Sequence, residues 1–295
     1  MTGRGLRVAV LLDRDYCFAW EASMMKRLCE STVADFSLLM LTKPGPPTAT
    51  HEFWQSLYSR LDRKFFRTSP DAFRRVPIKE VCPRVARMSV ALSQENTEAD
   101  EIRSKNLDVI VDLTEGGLRN RLCGLARLGV WKHRVGVPGQ EGNEPGFLEL
   151  AGKIPILQSS LEMVKSGGEE ENVLRRSVSR MDYVSLGRSR NIAMWRCAAL
   201  VSREIEKLVR AGEEEYLKGI EYQSVPLGLG GLGSRALPST FASFVAVVRQ
   251  VWRVAARALY KLFVVEQWTL AYSFGETLVK PFQSFLSIVP GKDRF

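Results

Sequence analysis

Several residue types that define common site classes are scarce in this 295-residue sequence. It has two histidines, His51 and His133, and five cysteines with no CxxC pair. This supply cannot build a His/Cys cluster, so we predict no metal site. The odd number and wide spacing of the cysteines favour reduced, buried thiols and a cytoplasmic protein.

The usual nucleotide fingerprints and long apolar runs are also missing. No GxGxxG follows the first apolar segment and no GxxxxGK[ST] occurs, so dinucleotide and P-loop functions are unsupported. No apolar run reaches the length of a membrane span. The N-terminal segment MTGRGLRVAVLLDRD has a short apolar run that ends in charge, which is typical of a first strand and not of a signal peptide.

The positive charge is concentrated near the C-terminus. The formal net charge is +9, and the segment 235–295 carries eight Lys/Arg against three Asp/Glu. This pattern suits an anionic membrane surface or an acidic partner. The absence of an aromatic-basic platform or a recognition-helix motif disfavours nucleic acid as a partner.

The first part of the chain reads as strand, helix, strand. Leu6–Leu12 is a short apolar strand, Trp20–Glu30 has apolar residues at helical spacing, and Ala34–Leu41 is a second strand. Such a pattern predicts an α/β fold with a parallel sheet.

A second strand–helix–strand unit contains His133. We predict a strand at Leu107–Leu113, a helix from Leu118 to Leu128, and a strand at Val130–His133. Ligands of open α/β sheets lie beyond the carboxyl ends of such strands. His133 stands at such an end, and two interpretations remain open: a site residue or a structural histidine.

The rest of the chain predicts a hairpin, a long helix and a tail. Pro155–Val164 and Val173–Val178 form the hairpin, and Arg188–Ala211 one amphipathic helix whose inward residues include Ile192. The basic helix Phe241–Val265 either contacts a membrane surface or packs on a domain. The predicted regions are an α/β domain at 1–212, a Gly-rich linker at 213–239, and the basic helix and tail at 240–295.

Three short motifs resemble those of the formyltransferase family. They are Gly129-Val130-Trp131, Pro145-Gly146-Phe147-Leu148-Glu149 and Arg190-Asn191. The chain is most similar to formyltransferase-like domains that precede a glucosamine inositolphosphorylceramide transferase-like glycosyl domain. The resemblance covers about 6–212 and implies a Rossmann-like formyltransferase fold, with a mainly parallel, twisted sheet flanked by helices and a C-terminal helical tail.

The resemblance implies transfer of a formyl group from 10-formyltetrahydrofolate to an amine, here of a sugar or sugar-nucleotide. His133 matches the family's catalytic His, whereas the catalytic Asn position falls on Trp131. The catalytic Asp position falls near Ser166, where Glu169 is the nearest carboxylate. The resemblance therefore implies His133 as the catalytic group, with Glu149 or Glu169 as its acid–base partner.

The implied binding residues depart from the family pattern as well. The folate loop is replaced by Thr114, Glu115, Gly116 and Gly117, and substrate contacts fall on Asn143 and Asn191. The changed motif allows two functions: a formyltransferase-like enzyme, or an inactive module that binds a ligand or scaffolds a glycosyltransferase-like partner at the membrane surface. The tail resembles the join to a glycosyl domain, so the chain could be a split or truncated member.

Overall fold

The computed structural model describes most of the first 223 residues. The described ranges are 5–42, 59–64, 66–90, 96–114, 122–136, 145–151, 154–164 and 171–223, together with Val248 and Trp252. The chain divides into two compact units, Met1–Phe244 and Val245–Phe295. In the second unit only Val248 and Trp252 are described, and both are helical and exposed.

The described strands and helices alternate along most of the chain. The strands are β1 (Leu6–Leu12), β2 (Tyr16–Phe18), β3 (Ala34–Leu41), β4 (Arg75–Pro77), β5 (Ala86–Ser89), β6 (Val109–Asp112), β7 (Val130–Val135), β8 (Ile156–Val164) and β9 (Glu171–Arg180). The helices are α1 (Ala19–Glu30), α2 (Ile78–Val81), α3 (Asn96–Ser104), α4 (Phe147–Ala151), α5 (Leu186–Cys197), α6 (Leu200–Ala211) and α7 (Glu213–Gln223). Residues 59–64 are also helical.

A seven-stranded sheet organises the first unit. Its strand order is β5-β3-β1-β6-β7-β8-β9. The pairs from β5 to β7 are parallel, and β8 and β9 add an antiparallel hairpin at one edge. The predicted α/β architecture with a mainly parallel sheet flanked by helices is confirmed.

The central strands are buried on both faces. In β1 the side chains of Val8 and Val10 join the core that contains α1, whereas Ala9 and Leu11 join the core that contains Ile102 of α3. This alternation follows from the two-residue period of a strand. It explains why β1 is apolar at consecutive positions, as strands covered on both faces are.

The predicted helix from Leu118 to Leu128 is wrong over its described part. Residues 115–121 lie outside the described ranges, and from 122 onward only Leu122 is helical. Gly124, two residues after Leu122, has a φ of +86°, which is incompatible with a right-handed helix. The chain then forms turns, and Ala126 makes a parallel β-bridge with Leu107.

The predicted single helix Arg188–Ala211 is two helices, α5 and α6, that separate at Ala198 and Ala199. Neither alanine would break a helix by propensity. Buried residues flank the break on both sides, Cys197 and Leu200 among them, so tertiary packing outweighs the local preference. Ile192, which was predicted to face inward, is 47% exposed.

The segment predicted as a linker from 213 begins with a helix. Gly212 ends α6 at a φ of +81°, and α7 covers the first eleven predicted linker residues, 213–223. Residues 224–239 and the predicted basic helix, apart from Val248 and Trp252, lie outside the described ranges. Within the part of the chain that is described, no helix is long and apolar enough to cross a membrane.

A buried carboxylate attaches α7 to the domain. Glu204 of α6 is fully buried, pairs with Arg175 of β9, and accepts a hydrogen bond of 3.1 Å from the Tyr216 hydroxyl of α7. One carboxylate thus joins two helices and the outermost strand. The sequence did not predict this network.

We expect Glu204→Ala to lower the free energy of unfolding by about 2 to 3 kcal/mol, because the buried Tyr216 hydroxyl loses its acceptor while the partly exposed Arg175 can be hydrated. Urea denaturation measures the change. Glu206→Ala, at an exposed position of the same helix, is the control and should change stability by less than about 0.5 kcal/mol. Equal losses in the two variants would contradict the structural role of Glu204.

Candidate functional site

The order of the strands places a topological switch point at the carboxyl ends of β1 and β6. From β1 the chain moves outward through β3 and β5, and then returns to the other side of β1 through β6 and β7. In open α/β sheets such a reversal separates the loops and leaves room for a ligand. Asp13 and Thr114 follow these two strands, and His133 lies near the end of β7.

His133 is a partly buried residue whose ring nitrogens lie in the interior. Both ring nitrogens are buried, and neither has a hydrogen-bond partner among the described residues. The imidazole meets the Trp20 ring edge to face, with ring centroids 5.3 Å apart and planes at 87°. Burial lowers the pKa of His133 to about 4, since a charged imidazolium is poorly solvated there. The side chain is therefore neutral at pH 7.

Glu149 lies at the same end of β7. It belongs to α4, is 3% exposed, and its Oε1 would be 3.3 Å from a Cβ added at Gly136, three residues after His133. Gly136 has a φ of +100°, so a glycine is needed there for its backbone and for the close approach of the carboxylate. The structure thus brings two of the predicted catalytic residues to one strand end.

Two of the predicted binding residues, Asn191 and Thr114, are described, and both form hydrogen bonds within the chain. The Asn191 amide accepts from the Ala72 N–H at 2.7 Å and donates to the Pro70 carbonyl at 3.1 Å. The Thr114 hydroxyl and N–H both donate to Asp112 Oδ1, at 2.7 and 2.9 Å. Asn191 thus holds the 70–72 loop, and its predicted substrate contact stays a prediction.

The remaining predicted site residues lie outside the described ranges. They are Glu115, Gly116, Gly117, Asn143 and Glu169. Their predicted roles stay predictions.

Trp131 occupies the position that the resemblance assigns to a catalytic Asn. It is fully buried, and its indole N–H donates to the Leu128 carbonyl at 3.3 Å. Its one polar atom is engaged within the preceding turn. Trp131 therefore offers no hydrogen bond to a ligand, and serves as a core residue below His133.

A partly buried ion pair joins the ends of β6 and β7. Lys132 Nζ lies 3.7 Å from Asp112 Oδ2 and donates to the Thr114 carbonyl at 3.3 Å. Asp112 and Lys132 are direct partners in the β6–β7 register. Because Lys132 and His133 are consecutive in a strand, they project to opposite faces of the sheet.

A second charged group, on Arg14, secures the loop after β1. Arg14 Nη1 lies 3.1 Å from Asp13 Oδ1, and Arg14 Nη2 pairs with Glu21 of α1. Burial raises the pKa of the Glu21 carboxyl, and Arg14 opposes that rise. Glu21 also accepts from the Phe18 N–H at 2.8 Å, so this group fixes the start of α1. The sequence did not predict these ion pairs. Asp112 and Lys132 are 20 positions apart in sequence, and Asp13 and Arg14 lie in a segment that resembles a turn.

Comparison with known proteins gives structural neighbours only. No family model matches the sequence, and no curated protein does. Similar solved structures include phosphoribosylglycinamide formyltransferase from Bacillus halodurans, with a TM-score of 0.47 and 11% identity over 71% of this chain and 98% of that chain.

Formyltetrahydrofolate deformylase from Pseudomonas putida is another such structure, with a TM-score of 0.45 and 10% identity over 70% of this chain. This chain spans 65% of the length of that deformylase. Glycinamide ribonucleotide transformylase 1 from Symbiobacterium toebii also has a TM-score of 0.45, at 10% identity over 70% of this chain and 91% of that chain. Likeness at these levels does not bear on activity, so the chemistry has to follow from the residues.

The neutral state of His133 predicts a pH dependence of stability. The unfolded chain binds a proton near pH 6.5, whereas the folded chain does so only near pH 4. Between these values the unfolded state holds more protons, so stability falls as the pH falls. The loss is at most about 3 kcal/mol and is complete below about pH 4.

We expect His133→Phe, which keeps a ring against Trp20, to lose less stability than the wild type between pH 7 and pH 4. Urea denaturation at a series of pH values measures the difference. All carboxylates and His51 are common to both proteins, so their contributions cancel. Parallel pH profiles would show that His133 titrates normally in the folded protein.

Proposed function

We propose that this chain is a formyltransferase-like transferase that moves a formyl group from 10-formyltetrahydrofolate to an amine of a sugar or sugar-nucleotide. The proposal depends most on His133, a neutral imidazole near the carboxyl end of β7, whose ring nitrogens are buried and have no partner among the described residues. The motifs around Trp131, Glu149 and Asn191 that resemble the family support it.

Among the described residues His133 fits the formyl end of this donor, and Thr114 is the one described member of the predicted folate loop. The ring nitrogen of His133 that carries the hydrogen could donate it to a carbonyl oxygen. Thr114 donates its hydroxyl and N–H to Asp112, and its predicted contact with the folate stays a prediction. When bound, 10-formyltetrahydrofolate would supply an activated one-carbon acyl group.

His133 would act as a hydrogen-bond donor and not as a strong base. A neutral imidazole carries one N–H, which can stabilise negative charge that develops on a carbonyl oxygen. A conjugate-acid pKa of about 4 makes the same ring a weak proton acceptor at pH 7. The proton released by an attacking amine needs another acceptor, and we assign this role to Glu149, the buried carboxylate at the same strand end.

A second function is favoured by Trp131. Trp131 stands at the position that the resemblance assigns to a catalytic Asn, and its indole N–H donates to the Leu128 carbonyl. By comparison with the family pattern, the site therefore lacks one hydrogen-bond donor. The chain would then be an inactive module that binds a ligand or scaffolds a glycosyltransferase-like partner. Peripheral membrane contact through 241–265 belongs to this second proposal.

Calorimetry with a stable 10-formyltetrahydrofolate analogue, followed by a formyl-transfer assay with amino-sugar nucleotides, tests both functions. For the active enzyme we expect micromolar binding, equivalent to about −8 kcal/mol, and a loss of turnover of about 10²-fold or more in His133→Asn and Glu149→Gln. His51→Asn, which alters the other histidine, should retain wild-type turnover.

The outcomes separate the two functions. Binding without turnover for any amino sugar would support the inactive module. No binding at millimolar analogue would contradict folate as the donor. Turnover that survives in both His133→Asn and Glu149→Gln would show that the reaction occurs elsewhere on the chain.

A further inference from the structure

Trp20 has an unusual polar environment for a buried tryptophan. It is the second residue of α1 and is 5% exposed. Its indole Nε1 is buried and has no hydrogen-bond partner among the residues the structure describes. An unpaired buried N–H of this kind costs about 1–3 kcal/mol, so the fold retains Trp20 there at an energetic disadvantage.

Two other tryptophans of the domain do not share this feature. Trp131 Nε1 donates to the Leu128 carbonyl at 3.3 Å, and Trp195 Nε1 donates to the Pro70 carbonyl at 3.1 Å. The buried indole of Trp131 and the partly buried indole of Trp195 thus both have a main-chain acceptor, as is usual for indoles that leave water. The lack of an acceptor for the Trp20 N–H is therefore not shared by these two tryptophans and depends on where Trp20 lies.

Trp20 packs against the ring of His133. The two rings meet edge to face at 5.3 Å, and the nitrogens of both are buried without partners in the described part of the chain. Two rings in contact thus both have nitrogens that could still form hydrogen bonds. A ligand oxygen with two lone pairs would satisfy one donor from each ring at once.

We propose that Trp20 Nε1 and a ring nitrogen of His133 form a two-donor recess that binds the carbonyl oxygen of a formyl group. The binding part of this inference concerns the two rings alone, and its catalytic part rests on the proposed formyl transfer. A neutral carbonyl suits the recess better than an anion, because an unpaired charge is costly to bury. As negative charge develops on the oxygen during acyl transfer, both donors strengthen their hold on it.

The binding part can be tested without turnover. We would label the indole nitrogens of the full-length protein with ¹⁵N and titrate it with formamide, the smallest neutral formyl amide, while circular dichroism monitors the fold. The Trp20 resonance is the one lost in Trp20→Phe. We expect it to move downfield and saturate, while the Trp131 and Trp195 resonances stay in place.

The variant His133→Phe supplies the second binding test. It keeps an aromatic ring against Trp20 but removes the second donor, and we expect formamide affinity to fall about tenfold, as for the loss of one hydrogen bond. A Trp20 resonance that does not respond to formamide in the wild type would overturn the recess. So would a formamide response that His133→Phe leaves unchanged.

Kinetics test the catalytic part. In an active enzyme, Trp20→Phe should lower kcat about 10²-fold, as expected when one oxyanion donor is lost. Trp195→Phe, which removes an indole N–H that donates to Pro70, should keep wild-type kcat. Wild-type kcat in folded Trp20→Phe would overturn the catalytic part and leave the proposed transfer standing. If the wild type has no turnover, the proposed function fails, and the formamide titration still decides whether the recess exists.

Discussion

The burial of the central strands on both faces is the constraint on which the rest of the structure depends. Alternate side chains of β1 enter opposite cores, and β6 is buried at each of its four positions. Backbone pairing within the sheet satisfies the peptide groups, so the interior of these strands can be wholly apolar. Polar side chains that serve a ligand are thereby confined to the strand ends.

The two faces of β7 carry different chemistry for the same reason. The alternation of a strand places Trp131 and His133 on one face, against the core that contains Trp20, and Lys132 on the other. The ion pair of Lys132 with Asp112 is therefore directed away from the imidazole. Burial then dominates the titration of His133, and a neutral hydrogen-bonding ring results in the middle of a charged region.

Periodicity predicted those parts of the fold in which local pattern and tertiary packing agree. The strands β1 and β3 appear at their predicted bounds, because the apolar runs in their second halves end in charge or loop residues. The break at Ala198 was not predictable, because no glycine or proline marks it and only packing on both sides explains it. The β2–β4 ribbon was missed because each strand has three residues, too few for a periodic signal.

The candidate site was predictable only where one residue carried the signal. His133 could be singled out because histidine is rare in this chain and stands at a predicted strand end. The contact of His133 with Trp20 could not, since 113 positions separate them in sequence and Trp20 reads as an ordinary apolar residue of an amphipathic helix. What distinguishes Trp20 is an N–H without an acceptor, and a missing hydrogen bond leaves no pattern in a sequence. A site that relies on unpaired donors can therefore be recognised only in the folded structure, where it is known which buried donors have an acceptor and which do not.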